Sequence, residues 1–164
     1  MVKTMYYFKI FFFYSILGHI MESIIYLFCK GESGILFFPW TPIYGIGVVI
    51  IVLCYQKIKK FKSPVFQYFL VFLVGFILLS ILELLGGILI EKIFHTVFWS
   101  YDQFQFHIGH YVAPVISLFW GIASVFAILL LPYTDKVIKK IPRSITWLFI
   151  ILMFFDIIMT VLFK

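Results

Sequence analysis

Apolar residues in this chain come in long unbroken runs, separated by short lysine clusters and crossed by a few polar positions at helical spacing. A run of ~20 apolar residues crosses a bilayer as a helix. Such runs predict helices over about 6–29, 64–95, 111–133 and 144–163, with a shorter one over 43–55. The runs are continuous rather than alternating, which excludes a closed β-barrel. The expected fold is all-α: a polytopic five-helix transmembrane bundle, one domain over residues 1–164.

The lead-in to the second helix is irregular. Residues 35–47 carry Pro39 and Pro42, then Gly45 and Gly47, and proline cannot occupy a regular helix interior. The clean apolar stretch from Ile43 to Tyr55 is too short to span alone. A Pro/Gly-broken lead-in is expected, either re-entrant and lining a cavity, or a plain interfacial loop.

The polar positions are ordered. In helix 1, Ser15, Gly18, His19, Glu22 and Tyr26 recur at three- and four-residue steps and share one face. In helix 3, Ser80, Glu83, Gly87, Glu91 and His95 do the same. That helix is longer than a bilayer requires, so its end should project. Helix 4 carries a small-residue seam of Ala113, Ser117 and Gly121. Asp156 lies near the middle of helix 5. The aromatic connection from Thr96 to Tyr111 holds Trp99, Tyr101, Asp102, His107 and His110, and its Trp and Tyr suit a membrane–water interface.

Composition agrees with this picture. The chain is 64% hydrophobic and 12% charged, against about a quarter charged in a soluble domain. The net charge of +6 comes from lysines in the connections, which is a topology signal rather than a nucleic-acid footprint. With the N-terminus inside, the inner segments hold ten of the 13 basic residues: Lys3, Lys9, Lys57, Lys59, Lys60, Lys62, Lys136, Lys139, Lys140 and Arg143. The outer segments hold Lys30, Lys92 and Lys164. The N-terminus is expected inside and the C-terminus outside. The N-terminal basic stretch leads into a run too long for a signal peptide and without an A-x-A-like site, so a retained helix is expected. Cys29 and Cys54 then lie near opposite faces and should not pair.

Ionisable side chains inside a membrane are candidates for function. The expected outward-facing site is built from Glu22, Glu83, Glu91 and His95, with His19, Trp99 and Tyr101 beside them and Tyr44 and Trp120 as walls. Three roles fit these residues. The carboxylates can bind a cation, a proton or a polar head group along a transport pathway. They can join His95, Glu91 and His110 as metal ligands. They can also be protonated and hydrogen-bonded between helices. Asp156 is a candidate proton relay or an interhelical bond. No phosphate-binding loop, nucleophile elbow or zinc-finger spacing is present, and no cofactor is indicated. The sequence leans away from an enzyme.

Several motifs together give the chain a family resemblance. They are Tyr14-Ser15-Ile16-Leu17-Gly18 with Glu22, Pro42-Ile43-Tyr44-Gly45 with Gly47, Leu82-Glu83 with Gly87, and Leu89-Ile90-Glu91. Phe94-His95, Trp99 with Tyr101, Gly109, and Ser117-Leu118-Phe119-Trp120-Gly121 follow in the same order. Over about residues 8–125 the chain resembles the small five-helix bacterial membrane proteins described as ABC-transporter permeases of the type IV grouping. It departs from their pattern at His19 (for Trp), Val97 (for Arg), Ser100 (for Asp) and His110 (for Arg). The resemblance implies a multi-pass permease component in the bacterial cytoplasmic membrane. It also implies a separate ATPase subunit or a homodimer as partner beside the lipid bilayer. A small or lipid-linked substrate is expected, and the alternatives are a membrane-embedded enzyme acting on a lipid-linked substrate and a non-catalytic interaction protein.

Overall fold

Proline sets where the helices begin. In the computed structural model, which describes residues 2–29 and 34–164, α2 starts at Pro42, α3 at Pro64 and α4 at Pro114, and Pro142 is the N-cap of α5. Proline suits a first helical turn because its missing N–H is one that a helix start leaves unpaired anyway. The elements are α1 (Val2–Cys29), α2 (Pro42–Ile58), α3 (Pro64–Phe94), α4 (Pro114–Lys140) and α5 (Arg143–Phe163). Four of them are long and apolar enough to cross a membrane; α2, with 17 residues, is shorter. The fold is the all-α, five-helix membrane arrangement expected, and α2 follows a non-helical stretch over residues 34–41. Of the sequence expectations, Lys30 and the side chains of Tyr26 and Cys29 lie outside the described residues; Cys54 is a free thiol.

Helix α4 corrects the sequence reading at both ends. The expected span was 111–133. The helix starts three residues later, because a residue before proline is pushed away from α geometry. It also continues through Pro132 to Lys140. Lys136, Lys139 and Lys140 are therefore helical rather than in a loop, and only a tight turn separates them from Arg143. The extension is held by the Lys139–Asp135 ion pair one turn apart. Tyr6 also donates its hydroxyl to Asp135 at 2.8 Å, and the Tyr14 and Thr134 hydroxyls meet at 2.8 Å.

The chain forms two compact units. The first comprises Met1–Val49 and Tyr133–Lys164, the second Ile50–Pro132. In the first, Phe12, Trp40 and Met153 form a buried core with Phe149 and Leu36 packed on it. The ring of Phe12 lies 6.0 Å from Trp40 and 5.5 Å from Phe149, in tilted and edge-on geometries favoured by aromatic pairs. Helices α1 and α2 approach closely at Gly45, where a side chain would run into the Ser15 hydroxyl and the Phe11 carbonyl.

In the second unit α3 buries every fourth residue: Val71, Gly75, Leu79, Glu83 and Gly87. One stripe of α3 therefore packs while most large side chains off it, such as Leu85 at 60% exposure, face outward, as lipid contact requires. Gly75 lies against Ser124, Gly121 against the Phe72 ring, and Gly87 against the Tyr111 ring. Ser80 donates to Ser117 at 2.6 Å. Small residues let the two helix backbones approach closely enough for this bond.

Candidate functional site

In the first unit the polar face of α1 meets the residue just before α2. Thr41 donates its hydroxyl to Glu22 at 3.1 Å and lies 3.5 Å from His19 Nδ1. The Tyr44 side chain and the Gly34 backbone N–H also reach the Glu22 carboxylate. Gly34 has φ 77°, and a side chain there would crowd the His19 ring and the Thr41 hydroxyl. Only glycine adopts this geometry freely, so the chain can close over the site at that point. The Thr41 N–H donates to the Ser15 carbonyl at 3.0 Å, which fixes the stretch against α1.

The same stretch is fastened to α5. Asp156, 1% exposed, accepts at Oδ1 from the Phe37 N–H (2.9 Å) and at Oδ2 from the Phe38 N–H (3.1 Å) and the Trp40 Nε1–H (2.8 Å). Thr160 donates to Oδ1 at 3.5 Å. Lys164 donates to the Ile35 carbonyl at 2.7 Å, and its ammonium lies 5.2 Å from the centre of the Phe37 ring. Asp156, expected as a proton relay or a bond between helices, is bonded to Phe37, Phe38 and Trp40 of the stretch before α2. Phe37, Phe38, Trp40 and Thr160 all donate to it, so this buried acceptor satisfies the Phe37 and Phe38 N–H groups.

In the second unit Glu83, 4% exposed, accepts from the Tyr101 hydroxyl at 2.8 Å and the Trp120 Nε1–H at 2.8 Å, one on each oxygen. Glu91, two turns further along α3, accepts from the Tyr111 hydroxyl at 3.0 Å. Trp99 stacks edge-on against Tyr111 at 5.4 Å, and its buried indole N–H has no hydrogen-bond partner among the described residues. His95 caps α3 in the left-handed region (φ 52°) with its N–H on the Glu91 carbonyl. Glu91, Lys92 and His95 line an open hollow.

The 95–112 connection is folded on itself. Tyr101 N–H donates to the His110 carbonyl at 2.8 Å, and Ile108 N–H to the Val112 carbonyl at 2.8 Å. His110 Nδ1 lies 2.7 Å from Asp102 Oδ2, and His107 Nδ1 lies 3.7 Å from Oδ1. A hydrogen bond from the Ser100 hydroxyl, then one from His110, holds the exposed Asp102 carboxyl below its ordinary value. Among the described residues no group of three or more His, Cys, Asp and Glu is placed to hold an ion. Of the candidate ligands, Glu91 is bonded to Tyr111 and His110 to Asp102.

Two groupings therefore emerge, one around Glu22 with His19 and Tyr44, one around Glu83 with Tyr101 and Trp120. Among the described residues neither Glu22 nor Glu83 has an ion-pair partner; the pairs present involve Asp102 and Asp135. Sequence reasoning missed Thr41, Trp40 and Tyr111. The signal for the first two was the Pro39-Trp40-Thr41-Pro42 run, where donor side chains sit between prolines next to a carboxylate-bearing helix.

The model of the Putative ABC-transporter type IV family matches residues 9–162. No curated protein and no solved structure matches the chain.

Proposed function

The chain belongs to the Putative ABC-transporter type IV family, and from that premise we propose that it is a permease-like component of a transporter in the bacterial cytoplasmic membrane. It is multi-pass, with its N-terminus inside and its C-terminus outside. A separate ATPase subunit supplies the energy, since the chain carries no phosphate-binding loop of its own. Glu22 is the group that handles the substrate, a small or lipid-linked molecule.

The observation that carries this reading is the Glu22 grouping. A half-buried carboxylate in an apolar helix is met by neutral donors, Thr41 and Tyr44, with His19 close by and no fixed counter-charge among the described residues. A carboxylate held this way can exchange a proton, a cation or a substrate hydroxyl without breaking a salt bridge. Glu83 differs: it is deeply buried with both oxygens occupied, and its role is to fasten Tyr101 and Trp120 to α3. Glu91 and His95, at the open hollow, form a second polar surface for substrate.

The test is gentle purification from native membranes followed by mass spectrometry. A stoichiometric ATPase subunit is expected, and Glu22→Gln should leave that assembly intact while uncoupling its nucleotide hydrolysis from transport. A chain that elutes alone or only as a homodimer would overturn the transporter reading.

A further inference from the structure

Lys9 lies within the first span of α1, between Phe8 and Ile10, about 9 Å along the helix axis from Lys3 at ~1.5 Å per residue. It is half-buried and lines a hollow of about 70 Å³ whose other walls are Phe12, Phe13, Ile16, Ile141, Thr146 and Phe149. Apart from the Thr146 hydroxyl these walls are apolar.

A cation at this depth needs a counter-charge or a route to water. Among the described residues it has no ion pair. The acid nearest in kind, Asp135 on α4, is already engaged by Lys139 and by the Tyr6 hydroxyl. Lys140 ends α4 and Arg143 begins α5, one at each end of the turn that holds Ile141, and both are exposed. The hollow thus joins an apolar wall to an ammonium with no ion pair among the described residues.

We infer that this hollow between α1 and α5 is a binding site for an anionic phospholipid. A short segment of an acyl chain seats between Phe12, Ile16 and Phe149, and the phosphate meets Lys9, whose stem extends along the apolar wall. On the topology proposed above this end faces the cytoplasm, where basic recesses between helices bind anionic head groups. A neutral phospholipid would fill the hollow and leave the ammonium unpaired; a free phosphate would pair it and leave the hollow empty. Only an anionic lipid satisfies both.

The test is native mass spectrometry of the full chain released from nanodiscs of equal phosphatidylglycerol and phosphatidylcholine. The wild-type chain should retain phosphatidylglycerol in preference. Lys9→Gln should lower that retention about fivefold, the weight of one cation at an anionic lipid surface. Lys9→Arg should restore it, and Lys3→Gln, outside the hollow, should leave it unchanged. Ile16→Trp, which fills the hollow and keeps Lys9, should displace both lipids. If Lys9→Gln does not fold, Ile16→Trp decides: phosphatidylglycerol lost supports the site, phosphatidylglycerol undiminished overturns it. Equal retention by Lys9→Gln and wild type, or no preference between the two lipids, also overturns it.

Discussion

The indole N–H of Trp40 donates to Oδ2 of Asp156 at 2.8 Å, across 116 residues of sequence. The bond ties the stretch before α2 to the middle of α5. Because Thr41 follows Trp40 and donates to Glu22, the same bond sets how Glu22 is capped. Asp156 is in this sense a positioning residue for Glu22.

Replacing Asp156 should be costly. Asp156→Asn keeps one acceptor oxygen but turns an NH₂ toward N–H donors that need an acceptor. A loss of about 2–4 kcal/mol is expected, as for other buried groups left unpaired beside a former carboxylate. Chemical denaturation of the detergent-solubilised protein measures it. A change within error would show that the loop is held by its aromatic packing alone.

Glycine substitutions should separate close helix contact from intrinsic helix preference. Gly45→Ala places a methyl against the Ser15 hydroxyl and the Phe11 carbonyl, and should destabilise by about 1–3 kcal/mol. Gly86→Ala meets no atom within 4 Å and should stabilise by about 0.5–1 kcal/mol through helix preference. Thermal melts of the two variants, run side by side, should shift in opposite directions.

Glu83, Tyr101 and Trp120 should behave as one unit. Tyr101→Phe removes one donor and should cost about 1 kcal/mol. The loss should largely disappear in a Glu83→Leu background, because the partner is then absent. A double-mutant cycle on unfolding free energy reads the coupling, and strict additivity would contradict the bond.

The 95–112 connection should loosen in acid. The Ser100 hydroxyl and His110 hold Asp102 below its ordinary value. A carboxyl lowered in the folded state contributes order that is present above its unfolded value near 4 and lost as pH falls through the folded value below that. Amide exchange at Tyr101 and Asp102 should therefore be flat from pH 7 to about 5, after correction for the intrinsic rate, and should speed up below about 4. Asp102→Asn should remove that acid step.

Much of this architecture was legible in the sequence, for particular reasons. Pro64 and the apolar run after it placed α3 almost to the residue, because proline and hydropathy point the same way there. Ser117 and Gly121 of the small-residue seam were legible because helical spacing alone puts them on one face, while Ala113 falls just before α4. The end of α4 was not. Lys136, Lys139 and Lys140 carry the composition of a loop, and only the Asp135 contacts with Tyr6 and Lys139 show why they stay helical. The carboxylates were visible as candidates, with Tyr44, Tyr101 and Trp120 already named beside Glu22 and Glu83, but the partners of Asp156 were not. Phe37, Phe38 and Trp40 reach Asp156 from more than 100 residues away, and two of those three bonds come from backbone N–H groups that every sequence contains.

The account turns on residues 34–41 being a fixed cap over Glu22 held by Asp156. Hydrogen exchange at the Phe37 and Phe38 amides, in wild type and in Asp156→Asn in the same lipid nanodiscs, reads this directly. Both amides should be protected in the wild-type chain and should exchange at least tenfold faster in the variant, about the effect of losing one charge-assisted hydrogen bond. Amides that exchange freely in the wild-type chain, or equally slowly in both, would contradict it.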